Sequence, residues 1–205
     1  AASDVYKRQD LKNTRQNRKQ LLNGKTLAMI FEKPSTRTRV SFEVGMKELG
    51  GDVVVLSGDE LQVSRGESIA DTARVLSRYV DGIMIRTFEE AKIREMAKYA
   101  SVPVINGLTD NSHPCQLMAD VMTFEEHRGS IKGKTVAWSG DGNNMASSWI
   151  HAATKFDFKL NIACPKNYKP KKSVINWVKK NKKILNIFND PKKAVRNADV
   201  VFSDK

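Results

Sequence analysis

Short apolar runs alternating with longer segments of helical spacing decide what this chain can fold into. Thr26-Leu27-Ala28-Met29-Ile30-Phe31, Asp52-Val53-Val54-Val55-Leu56, Gly82-Ile83-Met84-Ile85-Arg86 and Val102-Pro103-Val104-Ile105-Asn106 are too short for core helices. They are continuous enough in apolar character for strands buried on both faces. Between them, Val40, Val44, Met46 and Leu49 recur at helical spacing and close on Gly50-Gly51. Ile69, Ala73, Leu76 and Val80 mark one face of a second helix, and residues 88–100 form a third. An earlier helix is expected from Asp10 to Asn23, with Leu11, Leu21 and Leu22 on it and Gly24 just past its end. Strands and helices alternating at these lengths imply right-handed βαβ units and a mostly parallel sheet.

The composition shifts after Glu125-Glu126-His127-Arg128-Gly129, and Gly133-Lys134-Thr135 restarts the alternation. Strands are expected at Val136-Ala137-Trp138, 159–164, 184–188 and 199–203. Helices fall at 145–155, around Val174, Trp177 and Val178, and after Pro191. The expected architecture is α/β: two doubly wound domains with mostly parallel sheets, residues 1–130 and 131–205. The second is expected to be incomplete, because the sequence reaches Lys205 before any closing helix. Ala1 to Gln9 has no periodicity and is set aside from the fold.

Ligands of open parallel sheets sit beyond the carboxyl ends of the strands. The first strand runs into Pro34-Ser35-Thr36-Arg37-Thr38 at the start of a helix. A helix N-terminus offers free N–H groups and a positive dipole end, so it favours an anion. One Ser or Thr suffices for an N-cap. Three hydroxyls and a planar guanidinium exceed that need and make a phosphate cradle. Arg86 closes the third strand, and Asn111-Ser112-His113-Pro114-Cys115-Gln116 follows the fourth, with Pro114 suited to a first helical turn. Cys115 reads as packing, since no base is adjacent in sequence. The long polar loop 57–67 carries Gln62.

In the second half, Ser139-Gly140-Asp141-Gly142-Asn143-Asn144 matches the first two glycines of a dinucleotide turn, but Met145 stands at the third. Its asparagines can instead present amides to a polar substrate. The net charge of +12 is concentrated in lysines between Lys166 and Lys183, without a nucleic-acid motif, and reads as a solvated face. No stretch approaches the ~20 apolar residues of a membrane span. No signal pattern opens the sequence. Cys115 and Cys164 have no metal-ligand spacing and read as free thiols of a reducing compartment, the cytoplasm.

Ser35-Thr36-Arg37-Thr38, Arg86, His113-Pro114-Cys115-Gln116 and Gly140-Asp141-Gly142-Asn143-Asn144 together resemble the aspartate/ornithine carbamoyltransferase family, and the last loop its ornithine branch. The resemblance runs from about Asp10 to Lys205; the family's later Ser-Met-Gly loop, its His-Cys-Leu-Pro motif and its closing helix do not occur in these residues. It implies transfer of the carbamoyl group of carbamoyl phosphate to the δ-amine of L-ornithine, giving L-citrulline and phosphate, with no cofactor and no metal. By the resemblance Ser35, Thr36, Arg37, Thr38 and Arg86 hold the phosphate. Arg37, Thr38 and His113 polarise the carbamoyl oxygen, and Gln116 accepts from the carbamoyl amide. Arg37, Arg86 and His113 are the catalytic set. Gln62 matches a residue that reaches a neighbouring subunit's site, which implies a homotrimer. Asn144 and Asp204 match residues that bind the ornithine α-carboxylate and α-amino groups. The chain alone is expected to be inactive. Alternatives are a carbamoyltransferase for another amine acceptor, a non-catalytic phosphate-binding fragment, and a basic nucleic-acid-binding α/β domain.

Overall fold

The computed structural model describes residues 11, 20–58, 61, 66–181 and 184–204. By internal contacts the described residues form two compact units, one within Asp10–Asp110 and one within Asn111–Lys205. Each carries a four-stranded, all-parallel sheet.

The first unit runs β1 (Thr26–Phe31), α1 (Thr36–Glu48), β2 (Asp52–Ser57), α2 (Ile69–Leu76), β3 (Gly82–Arg86), α3 (Glu90–Tyr99) and β4 (Val104–Leu108). The sheet order is β2-β1-β3-β4, so the chain winds outward from β1 to β2 and then resumes on the other side of β1. Successive strand side chains point to opposite faces, and both faces of β1 are covered. Ala28 and Ile30, with Ile83 and Ile85 of β3, pack against Ala73, Ile93 and Met96 from α2 and α3. Leu27, Met29 and Met84 face the other way, where Phe42 and Met46 of α1 lie. This two-sided cover is why β1 and β3 read as unbroken apolar runs.

Three elements differ from the sequence expectation. β2, expected to be buried, is an edge strand with Val54 45% exposed; an apolar run does not say which strand ends at the rim. β4 starts two residues late. Pro103 lacks an N–H, and its carbonyl only accepts from Ile83 N at 2.9 Å, so the paired ladder begins at Val104. α1 buries no residue in this unit, and Val40 is 52% exposed despite its helical spacing. The helix expected from Asp10 to Asn23 lies mostly outside the described residues, while Gly24 has φ +69°.

The second unit runs α4 (Pro114–Arg128), β5 (Thr135–Ser139), α5 (Asn144–Phe156), β6 (Lys159–Ala163), α6 (Lys172–Asn181), β7 (Leu185–Phe188), α7 (Pro191–Val195) and β8 (Val200–Phe202). Its order is β7-β6-β5-β8. Leu117, Val121 and Phe124 of α4 join one core with Trp138, Trp149, Phe158 and Ile162. Trp149 meets Phe158 edge-on at 5.8 Å and Phe202 at 4.3 Å between ring centroids.

Both units tie two neighbouring strands together at the amino ends in the same way. Thr26 N donates to Asp81 Oδ2 at 2.9 Å while Asp81 N donates to Thr26 O at 2.8 Å. Thr135 N donates to Asp199 Oδ2 at 2.8 Å while Asp199 N donates to Thr135 O at 2.8 Å. Lys25 and Lys134 neutralise the two carboxylates at 2.7 Å and 3.6 Å. The pairs joined, β1/β3 and β5/β8, are the places where the winding reverses. At the carboxyl ends of those pairs the following loops diverge and leave a crevice.

Candidate functional site

In the first unit the β1/β3 crevice collects the residues that the sequence reading expected to meet an anion. Phe31 pairs with Arg86, and Glu32 N donates to Arg86 O at 2.9 Å, so β1 and β3 end level. Ser35 is the N-cap of α1 in extended backbone, φ −162°, and its hydroxyl accepts from Thr38 N at 3.3 Å. Thr36 and Arg37 are exposed on the first turn, where backbone N–H groups have no intrahelical acceptor. Thr38 Oγ1 accepts from Arg86 Nη1 at 3.1 Å, which joins the helix terminus to the strand end. Arg86 Nε is shielded from solvent and has no acceptor among the described residues. Burial pulls the guanidinium's pKa below its ordinary value, as expected for a cation short of a counter-charge.

The aim of Arg86 depends on a bulge. The β3/β4 register shifts between Ile85 and Arg86, so Ile85 pairs with Asn106 but Arg86 with Leu108. Gly107 is the skipped residue, and a Cβ there would stand 2.5 Å from Met84 Sδ and 3.2 Å from Ile85 O. Bulges next to sites re-aim a side chain. The signal was the glycine inside an apolar run, which sequence reasoning passed over.

Sequence reasoning also missed the support beneath the cradle. Glu32, directly after β1, accepts from the Thr87 hydroxyl and from Lys92 Nζ at 3.0 Å to each oxygen. Lys33 pairs with Asp110 and stands 4.2 Å over the Phe88 ring. Lys33, Ser35, Thr36, Arg39 and Lys92 line a cleft of about 970 Å³ beside the helix terminus. Such a set of donors and cations can hold a small, doubly charged oxyanion.

The second unit gathers His113, Gln116 and Asp204. His113 is the N-cap position of α4, and its backbone N–H donates to Ser148 Oγ at 2.8 Å. That hydroxyl donates to Asn144 O at 2.7 Å, so Asn144 is coupled to His113 through α5. Gln116 Nε2 donates to Asp120 Oδ1 at 2.9 Å. Burial raises the Asp120 pKa, and the Gln116 donor opposes that rise. His113, Gln116, Asp120, Trp149, Phe202 and Asp204 line a cavity of about 340 Å³.

The two glycines after β5 are explained by close backbone approach. A Cβ on Gly140, which has φ +152°, would lie 2.7 Å from Asp204 O, and one on Gly142 would run into Lys169 and Pro170. Gly140 makes room for the segment after β8, and Gly142 for the segment after β6. Asn143, which the sequence reading did not separate from Asn144, caps α5 with Oδ1 accepting from Met145 N at 2.9 Å and Ala146 N at 3.2 Å. Its Nδ2 donates to Asp204 Oδ2 at 3.1 Å and orients that carboxylate. Gln62 lies outside the described residues. Cys164 is buried, and burial with the nearby Asp141 pushes its thiol up to about 11. Among the described residues no His, Cys, Asp and Glu cluster is arranged to hold a metal, and no helix is long and apolar enough to cross a membrane.

A sequence model described as aspartate/ornithine carbamoyltransferase, carbamoyl-P binding domain, matches residues 3–126, and one described as the Asp/Orn binding domain of that family matches residues 132–205. An ornithine carbamoyltransferase of Rhodopseudomonas palustris is 61% identical over 183 residues, which is 89% of this chain and 59% of that protein. One from Brucella ovis is 60% identical over 181 residues, covering 88% of this chain and 58% of that protein. Among solved structures, ornithine carbamoyltransferase from Pyrococcus furiosus superimposes with a TM-score of 0.91 at 48% identity, over 100% of this chain and 69% of that one. A mitochondrial ornithine carbamoyltransferase from Coccidioides immitis does so with a TM-score of 0.90 at 34% identity, over 100% and 70%. The chain thus spans about 59% of the length of the curated relatives it matches.

Proposed function

Because the chain belongs to the aspartate/ornithine carbamoyltransferase family, we propose that it carries the carbamoyl-phosphate site and part of the acceptor site of an ornithine carbamoyltransferase. The reaction transfers the carbamoyl group to the δ-amine of L-ornithine and yields L-citrulline and phosphate. One observation carries the reading: Arg86 donates to Thr38 at the start of α1, where Ser35 already caps the helix, with Arg37 exposed beside them. That is a preorganised dianion cradle at a point of winding reversal.

In this assignment residues 1–130 serve carbamoyl phosphate and residues 131–205 serve ornithine. Ser35, Thr36, Arg37, Thr38 and Arg86 hold the phosphate. The neutral δ-amine attacks the carbamoyl carbon, and negative charge grows on the carbamoyl oxygen, where Arg37, Thr38 and His113 stabilise it. Each such donor contributes on the order of 10²–10³ in rate. Gln116 accepts from the carbamoyl amide. Inorganic phosphate leaves and takes up the proton lost from the amine, so the step needs no covalent enzyme intermediate. Asn144 and Asp204 bind the α-carboxylate and α-amino groups of ornithine, the latter carboxylate held by Asn143. Gln62 serves the site of a neighbouring subunit in a homotrimer, and the enzyme works in the cytoplasm in arginine metabolism.

Two measurements test this. Carbamoyl phosphate and inorganic phosphate are titrated into the purified 205-residue chain, and citrulline is assayed with both substrates, for the chain alone and for the chain extended by the family's Ser-Met-Gly and His-Cys-Leu-Pro segment. Anion binding by the chain, with citrulline formed by the extended form, is the expected result. Absence of anion binding in a folded chain overturns the assignment.

A further inference from the structure

The Gln116 side chain ends in two opposite groups, a carbonyl that accepts and an NH₂ that donates, and a half-turn of the amide exchanges them. In the structure that choice is made by Asp120, one turn further along α4, which takes the Gln116 Nε2 donor at 2.9 Å. An ionised carboxylate only accepts, so the NH₂ end must face it and the carbonyl end must face away. Burial raises the Asp120 pKa, and the Gln116 donor works against that rise. Both side chains line the cavity that also holds His113 and Asp204. An exposed glutamine without such an anchor presents either end to a ligand.

We propose that Asp120 is a positioning residue: it locks the Gln116 amide with its carbonyl oxygen toward the ligand, so the site accepts a carboxamide NH₂ there and rejects an isosteric carboxylate. The proposal rests on the reading of Gln116 as acceptor for the carbamoyl amide. A carboxamide satisfies the carbonyl, whereas a carboxylate in the same place sets acceptor against acceptor and leaves both unpaired. Asp120 touches no substrate in this scheme; it acts through Gln116.

The test is selectivity between two stable phosphonates of the same shape, phosphonoacetamide and phosphonoacetate, titrated calorimetrically into the 205-residue chain at neutral pH. The wild-type chain is expected to prefer the carboxamide by about tenfold or more, the worth of one well-made hydrogen bond against an unpaired one. Asp120→Ala is expected to lose most of that preference with unchanged affinity for inorganic phosphate, because the freed amide turns its NH₂ toward the carboxylate. In a Gln116→Ala background the same Asp120→Ala change is expected to do nothing further. An Asp120 effect that persists without Gln116 means charge repulsion rather than orientation, and overturns the proposal, as does unchanged selectivity in a folded Asp120→Ala chain. If the wild-type chain binds neither phosphonate, the proposed function fails, and side-chain ¹⁵N–¹H spectra judge the anchor alone. Slow exchange of one Gln116 amide proton that becomes fast in Asp120→Ala supports it; equal exchange in both chains overturns it.

Discussion

Gly107→Ala should damage the anion site from a neighbouring strand, without touching a ligand. The added methyl would sit 2.5 Å from Met84 Sδ, well inside the roughly 3.5–4.0 Å of an ordinary contact. Met84 is fully buried between β1 and α1 residues, so it has little room to retreat. Overpacking of this kind costs about 1–3 kcal/mol. The backbone oxygen of Ile85, 3.2 Å from the new methyl, and Arg86 Cβ, 3.4 Å from it, transmit the strain to the bulge itself. The Arg86–Thr38 bond is 3.1 Å long, so a displacement of a few tenths of an ångström stretches it beyond useful geometry. Arg86, no longer held by Thr38, is then misaligned for the phosphate, and losing one charge-assisted contact to the ligand of about 1.5 kcal/mol makes phosphate binding about tenfold weaker. Urea unfolding reports the stability change and calorimetric titration of phosphate reports the affinity. Equal stability would refute the packing argument; lower stability with undiminished phosphate affinity would refute the claim that the bulge aims Arg86.

Other substitutions separate the remaining contributions. Gly45→Ala lies in the interior of α1 with nothing within 4 Å of the new Cβ, and should stabilise the chain by about 0.5–1 kcal/mol in urea unfolding without altering phosphate affinity. Arg37→Ala, assayed in the extended form of the proposed enzyme, should lower kcat/KM by on the order of 10³ or more, and Arg37→Lys should recover little because a point charge does not replace a planar fork. Donation from Lys25 and then from Thr26 N holds the Asp81 carboxyl below its ordinary 3.8, and donation from Thr135 N does the same for Asp199. Their contribution to stability is therefore present above that value and lost as pH falls through the lowered one, so Asp81→Asn with Asp199→Asn should flatten the acid limb of the urea midpoint. Asp120 runs the other way: its raised pKa makes its contribution largest in acid and lost as pH climbs through the raised value. Mixing inactive Gln62→Ala and Arg37→Ala proteins should restore part of the activity through hybrid sites in mixed trimers, and none in confirmed mixed trimers would refute shared sites.

The sequence alone determined the α/β class, the parallel winding and the crowded, hydroxyl-rich start of α1. These are local matters: apolar runs of strand length, helical spacing between them, and hydroxyls with an arginine crowding one helix start. It also marked His113, Gln116 and Asp204, though through resemblance to a family rather than through chemistry visible at each residue. Tertiary structure decided what depends on neighbours distant in sequence. Val54 lies at the rim because β2 has a partner on one side only, which no pattern within β2 encodes. Arg86 is aimed by a slip in the β3/β4 register around Gly107, a matter of two strands rather than one. Gly140 and Gly142 resembled a nucleotide loop in one dimension, yet they are small because Asp204 and Pro170 press on them from far along the chain. Asn143 and Asp120 became visible only once their partners were in place, since a hydrogen bond has direction and reach that residue spacing does not specify.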